Sequence, residues 1–424
     1  MLDHDEVARR YTRVRARTDA ISKPLSAEDA MVQSMPDASP TKWHLGHTSW
    51  FFEEFVLARF DRAHTWRDER WRTLFNSYYD GVGERHPRSA RGHLSRPSLD
   101  DVRAWRASTD ERLLSFLPRA GEDALVRILL GTHHEEQHQE LMLTDAKHAL
   151  WSNPLRPSYL RAAKPATVAG TSMAGNSLAA DAIRWVTFPE AIAEIGHRGP
   201  GFAFDNESPR HRVLVGAFAM ASRLVTNGEY GAFIDAGGYE RPELWLSDGW
   251  MALKGEAWRM PLYWERRGGA SSVYGMRGVA PLDPFAPVVH VSFYEADAYA
   301  RWAGARLSTE HEWESATRGQ AADGNFVESA VFEATRAEAG GEGLLQLFGD
   351  AWEWTASAYL PYPRYRPVEG PLGEYNGKFM SGQMVLRGGS CFSPCDHLRA
   401  TYRNFFPPAS RWQMTGIRLA RDIA

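Results

Sequence analysis

In Gly131-Thr-His-His-Glu-Glu-Gln-His-Gln-Glu140, His134 and His138 stand four residues apart. On a helix such a pair emerges from one face, one ring above the other, and two imidazoles placed so can chelate one metal ion. A polar, histidine-rich helix face would leave the same letters, so the spacing alone admits both readings. Trp43-His-Leu-Gly-His-Thr-Ser-Trp-Phe-Phe-Glu offers a third imidazole, His47, beside the small Gly46. His44, three residues earlier, is an alternative ligand or a core histidine. His133, His148 and His86 read as surface residues or as partners of the ligands. Imidazole suits several divalent transition metals, and donor type by itself does not choose among them.

Such a site needs facing helices, and the first part of the chain supplies them. Helices are expected over Asp3 to Arg17, Ser39 to Arg59, Asp100 to Leu117 and Glu122 to Ala149. The second is the best marked: Ser39 can cap the free amides of the first turn, and Pro40 fits a position where no amide is missed. Four antiparallel helices make a bundle, whose core is where side chains from different helices build metal sites. Residues 153–182, rich in Ala, Pro and Ser, read as a linker between a helical domain at 1–152 and a second domain at 183–424. There the grammar changes to short apolar bursts broken by Gly, Pro and Asn, as in His211-Arg-Val-Leu-Val, Pro287-Val-Val-His-Val and Met384-Val-Leu-Arg-Gly-Gly-Ser. These are strand-and-turn signals. Helices embedded at Thr226 to Ala236 and Tyr294 to Ala303 make the class α+β, multidomain.

Composition narrows the function. Lys+Arg 49 against Asp+Glu 53 leaves no basic excess to neutralise phosphates, so nucleic acid is not expected as a partner. No apolar stretch has spanning length, and the N-terminus carries acids where a secretory signal has bases. No membrane association and a cytoplasmic location are expected. Two cysteines, Cys391 and Cys395, rule out a disulfide framework and read as packing residues, although one local pair is open to them.

The first half, with Gly-His-Thr before an aromatic run and later His-x-x-Gln-His, resembles DinB-like metal-binding four-helix bundles. The second half resembles the formylglycine-generating-enzyme (sulfatase-modifying-factor) domain, of C-type-lectin-like α+β fold. That resemblance rests on Asp205-Asn-Glu-Ser-Pro-Arg-His, Val225-Thr-Asn-Gly-Glu-Tyr, Ala305-Arg-Leu-Ser-Thr-Glu-His-Glu-Trp-Glu, Gly349-Asp-Ala-Trp-Glu-Trp-Thr and Leu386-Arg-Gly-Gly-Ser. Fused in this order, the two are similar to the sulfoxide synthases (hercynine oxygenases) of ergothioneine biosynthesis. The resemblance implies a non-haem iron(II) oxidoreductase that uses dioxygen to join a thiol to hercynine, with His47, His134 and His138 as metal ligands. Asn-Ser-Tyr-Tyr in Phe75-Asn-Ser-Tyr-Tyr-Asp-Gly-Val-Gly resembles the branch that takes its catalytic tyrosine from the helical domain, which points to Tyr78 or Tyr79. Other branches place that tyrosine in the second domain, where Tyr359, Tyr362, Tyr365 and Tyr375 stand. Gln137, Asn404 and Phe405 match substrate-contacting positions. Arg88 and Arg91 suit the carboxylate of the thiol substrate, with Arg85 and Arg403 as weaker alternatives.

In the branch that uses γ-glutamylcysteine, an acid and an arginine follow the Asn-aromatic pair. Here the stretch reads Phe406-Pro-Pro-Ala-Ser-Arg-Trp, and the missing acid favours free cysteine. Cys391 and Cys395 are out of register with the copper-binding pair of formylglycine-generating enzymes. Ovothiol- or selenoneine-type synthesis and a DinB-like metal-dependent thiol transferase are the competing readings. Ovothiol enzymes usually carry an added methyltransferase domain, for which a chain ending at Ala424 leaves no room. Oligomeric state, and whether calcium sits in the second domain, are not written in the sequence.

Overall fold

The computed structural model describes residues 2–160, 182–338 and 340–423; most of the segment read as a linker, 161–181, lies outside them. The chain divides into two compact units, Met1–Tyr159 with Val368–Tyr375, and Leu160–Pro367 with Asn376–Ala424.

The first unit is built on four helices: α1 (His4–Ser22), α2 (Thr41–Phe52), α3 (Leu99–Phe116) and α4 (Glu122–Ser152). Asp3 opens α1 by accepting from the Asp5 amide, and Ser98 opens α3 in a reciprocal capping box with Asp101. The expected cap on α2 is not made. Pro40 occupies the cap position without a side-chain bond. The Ser39 amide donates to Asp145 at 2.8 Å and its hydroxyl accepts from Arg91 at 2.9 Å, so tertiary partners take both groups. Every residue of α2 is buried, and the helix runs on into a single π turn, Glu53–Leu57. Such one-turn widenings frequently accompany functional sites.

Tyr11, Phe52, Val56, Leu113, Phe116, Leu125 and Ile128 form an apolar cluster drawn from all four helices and the π turn. Around Glu135, beside His134 on α4, the packing is ionic instead. Glu135 accepts from Arg15 at 2.9 Å and from Arg106 at 2.5 Å. Arg15 also donates to Ser49, and Arg106 to Thr48, the two residues that follow His47. The fully buried carboxylate is thereby compensated twice, and α1, α2, α3 and α4 are tied together around it.

The second unit is α+β. One sheet orders Trp185–Phe188, Phe218–Ala221, Leu419–Asp422 and Arg306–Leu307, all antiparallel; another orders Asn404–Phe406, Met384–Arg387, Trp352–Ala358 and, in parallel, Thr415–Gly416. Helices Asn227–Asp235 and Phe293–Trp302 start at capping boxes from Thr226 and Ser292. Pro287-Val-Val-His-Val is not the expected strand. Only Pro287 bridges, to Thr226, and His290 adopts a φ of 64°, which a strand does not allow. Cys391 is buried and Cys395 exposed, so only the first packs a core. Among the described residues no helix is long and apolar enough to cross a membrane.

Candidate metal centre

Helix α2 delivers His47 and helix α4 delivers His134 and His138. The Nε2 of His134 lies 3.1 Å from the Nε2 of His47 and 3.1 Å from the Nε2 of His138. One ring nitrogen from each of the three falls within 4.8 Å of the other two, and all three residues are buried.

The surroundings of each ring decide which nitrogen carries its proton. His47 donates from Nδ1 to the Phe75 carbonyl at 2.7 Å, which leaves Nε2 as a bare lone pair facing His134. Gly46 permits this approach, since a Cβ there would meet the Phe75 ring at 2.2 Å. His138 Nδ1 lies 2.8 Å from His44 Nδ1. His134 packs on Phe51, centroids 4.4 Å apart, and its Nδ1 has no hydrogen-bond partner among the described residues. Burial holds all three imidazoles well below the ordinary histidine range, and each ring's repulsion of a neighbour adds to it. Neutral rings presenting lone pairs to one another at 3.1 Å repel unless a cation lies among them. Imidazole nitrogens held about 2.1 Å from one ion at right angles would be about 3 Å apart. The donor set therefore fits a divalent metal bound on one face.

The tyrosine segment is a loop, as expected. Asn76 braces it by donating to the Tyr79 carbonyl at 3.0 Å and accepting from the Tyr79 amide at 3.1 Å. Tyr79 is fully buried against Trp50 and Phe55, and Tyr78 stacks on it at 4.6 Å. Burial pushes the Tyr79 hydroxyl well above the usual phenol range, with Tyr78 and then Tyr375 adding to the shift. Tyr375 comes from the segment Val368–Tyr375. Its hydroxyl donates to Gln137, and its ring lies 5.7 Å from that of His134. The preceding Glu374 accepts from the Asp80 amide at 3.0 Å and the Gly81 amide at 2.7 Å, fastening the tyrosine loop.

The two arginines part company. Arg88 is exposed and donates to the Asp37 carbonyl. Arg91 is buried with its guanidinium 3.3 Å from the centroid of Trp43, donates to Ser39, and has an Nε without a partner among the described residues. It makes no ion pair among the described residues. Burial, with the like charge of Arg88 next, pushes its pKa below the usual arginine value, against the attraction of Asp145. Asn404 and Phe405 lie in the second unit on the strand Asn404–Phe406, where Phe405 stacks on Tyr359 at 4.0 Å with planes 11° apart.

Sequence reasoning left out the residues that frame the histidines. Trp43 and Trp50 both stack on His47, at 4.7 and 5.4 Å. They stand at i−4 and i+3 from it, so helical spacing carried the signal. Asp145, bound to His44 at 3.2 Å, lies seven residues beyond His138, two turns along the same face of α4. His133, read as surface or supporting, is buried beside Arg10 and Glu136.

The chain is 31% identical to the hercynine oxygenase of Mycolicibacterium thermoresistibile over 99% of its own length and 95% of that protein's. It belongs to the hercynine oxygenase family. Within the family, the Mycobacterium tuberculosis hercynine oxygenase is 32% identical and is matched over 100% of both chains. The two parts of this family member also match separately: residues 10–148 the DinB superfamily, and residues 190–342 and 334–423 the sulfatase-modifying factor enzyme 1-like domain. The second part is similar to the formylglycine-generating enzyme of Streptomyces coelicolor, 30% identical over 53% of this chain and 84% of that enzyme.

Proposed function

We propose that the chain is an iron(II)- and dioxygen-dependent sulfoxide synthase that joins cysteine, through its sulfur, to hercynine and gives hercynylcysteine sulfoxide. The observation that carries this reading is the convergence of three neutral imidazole nitrogens, His47, His134 and His138, in a buried bundle core with no carboxylate among them. The reaction balances without a further reductant. Hercynine gives up a ring C–H and cysteine its S–H, a C–S bond forms, one oxygen atom goes to sulfur and the other leaves as water. Three neutral donors would keep the full double charge of an iron(II) ion and leave its opposite face open, which suits an anionic thiolate beside dioxygen.

The protein's own groups then bind, orient and protonate. Arg91, a buried cation with no direct ion pair among the described residues, holds the cysteine carboxylate, and Arg88, three residues away, is exposed. Gln137, on α4 between the ligands, presents its amide to the hercynine imidazole or carboxylate. Asn404 and Phe405, in the second unit, are the further substrate contacts proposed, an amide and an aromatic ring of the kind a trimethylammonium group prefers. The oxygen that leaves as water needs protons, and a tyrosine hydroxyl can give one. Tyr78 and Tyr79 are the donors proposed from the helical unit. A second reading assigns the role to Tyr375, favoured by its hydroxyl on Gln137 and its ring against His134.

Turnover under 18O2, with the product read by mass spectrometry, tests the proposal. One labelled oxygen in a hercynine–cysteine sulfoxide is expected. Unlabelled product, or thiol transfer that proceeds without oxygen, would favour a DinB-like transferase. The same assay with γ-glutamylcysteine, histidine or a selenol in place of the natural partner separates the related synthases; free cysteine is expected to react best, because Phe406 to Ser410 offers no charged group for a glutamyl moiety.

A further inference from the structure

The three proposed ligands have different outer partners. His47 leans on a backbone carbonyl and His134 has no partner at Nδ1 among the described residues, whereas His138 is backed by a second histidine and a carboxylate. His138 Nδ1 is 2.8 Å from His44 Nδ1; His44 Nε2 is 3.2 Å from Asp145 Oδ2; and the same Asp145 oxygen accepts the Ser39 amide at 2.8 Å. All three side chains are buried.

Only one arrangement of protons satisfies this row when His138 faces the metal through Nε2. His138 must then carry its proton on Nδ1 and donate it to His44. His44 accepts on Nδ1, so its own proton sits on Nε2 and is donated to Asp145. Asp145, an acceptor only, ends the row and is fixed by a backbone amide. Hydrogen bonds that run in one direction toward an ionised carboxylate polarise one another. The effect is to draw the His138 N–H toward His44 and make the opposite nitrogen a stronger donor, as well as to fix the plane of the ring.

We propose that His44 and Asp145 are positioning residues that orient His138 and set its strength as a metal donor. This rests on the assignment of His47, His134 and His138 as the metal triad. It also explains why His44, despite ligand-like spacing to His47, is not a ligand: both its nitrogens are already engaged.

The test uses the full-length protein and cobalt(II), whose visible spectrum reports ligand geometry. Dissociation constants are taken by chelator competition for wild type, His44→Leu, Asp145→Asn and, as a control on the triad, His134→Ala. Loss of an outer partner of a metal-bound histidine weakens metal binding by about 10- to 100-fold. His44→Leu should fall in that range with an altered cobalt spectrum. Asp145→Asn keeps an acceptor for His44 but not the charge, so it should lie between His44→Leu and wild type. A purely architectural role would lower the melting temperature of the metal-free protein and leave the affinity and spectrum of the folded fraction unchanged, which would overturn the inference. If His44→Leu does not fold, Asp145→Asn decides: affinity within about twofold of wild type with the same spectrum overturns it, and weaker binding supports it. Wild-type protein that takes up no cobalt, or His134→Ala that binds it equally well, overturns the triad and this row with it. A triad that binds cobalt but ignores His44→Leu overturns the row alone.

Discussion

Trp43 lies face to face with His47, ring centroids 4.7 Å apart and planes 12° from parallel, and the same indole carries the Arg91 guanidinium 3.3 Å from its centroid. One aromatic ring thus joins a proposed metal ligand to the proposed carboxylate-binding cation. A cation over an indole is stabilised by the ring's negative face. That attraction, and the more distant charge of Asp145, offset only part of the cost of burying Arg91 without a direct ion pair, and the remaining deficit is what an anionic substrate would relieve.

Arg91→Met should accordingly raise the KM for cysteine by about 10- to 100-fold, the loss of a charge-assisted contact, while hercynine KM changes little. The same substitution should raise the melting temperature of the substrate-free protein, because a buried charge without a direct ion pair is removed and the stem is retained. Steady-state kinetics and thermal melts check both halves. An unchanged cysteine KM would move the carboxylate site elsewhere.

Removing the triad should separate metal from fold. His47→Ala, His134→Ala and His138→Ala should each lose stoichiometric iron and turnover, yet keep helical circular dichroism, because the apolar cluster and the Glu135 ion network lie outside the triad. Iron analysis by mass spectrometry is the readout; full occupancy in any one variant removes that residue from the set.

The tyrosines are resolved by kcat. A proton donor acts in the transition state, so its Phe variant should lose about 10²-fold or more in kcat with little change in KM. Tyr78→Phe, Tyr79→Phe and Tyr375→Phe are compared for rate and for the ratio of sulfoxide to other oxidised thiol products. If only Tyr375→Phe falls, the donor comes from the Val368–Tyr375 segment. If Tyr78→Phe or Tyr79→Phe falls, it is the loop that follows Asn76.

Much of this was legible in residue order, and the exceptions have physical causes. The proposed ligands His134 and His138 form a local pattern, and helical periodicity alone gave α1, α3 and α4 to within a few residues. The Ser39 cap failed because a local propensity lost to partners 106 and 52 residues away, Asp145 and Arg91. The approach of Tyr375 to Gln137 spans 238 residues and leaves no periodicity to read. Arg88 and Arg91 look equivalent as letters, and only the short 3-10 turn Arg88–His93 sends one to solvent and the other inward. At Pro287 to Val291, an apolar run of strand composition is broken by a left-handed residue, His290, that single-residue propensity does not anticipate.

Glu53, in the π turn, supplies a pH dependence. Burial raises its carboxyl to about 7 from an ordinary 4.5, against the lowering effect of Trp105 and Arg112. With the folded value above the unfolded one, its stabilising contribution is complete below about pH 4.5 and is lost as pH rises to about 7, amounting to roughly 3 kcal/mol. Glu53→Gln should therefore flatten the decline in unfolding free energy between those limits, measured by urea melts at a series of pH values. Parallel curves for the two proteins would show that Glu53 ionises normally in the fold.

The central claim is an iron-bound, oxygen-consuming C–S bond formation at the three-histidine site, and oxygen uptake after anaerobic metal loading tests it most directly. Protein stripped of metal and reloaded with iron(II) is given hercynine and cysteine, separately and together, in an oxygen-electrode cell with product followed by mass spectrometry. The account predicts that fast uptake needs iron and both substrates, at one dioxygen per hercynylcysteine sulfoxide formed, and that zinc-loaded protein or His134→Ala consumes none. Equal product from zinc-loaded protein, or from iron-loaded protein kept free of oxygen, would contradict it.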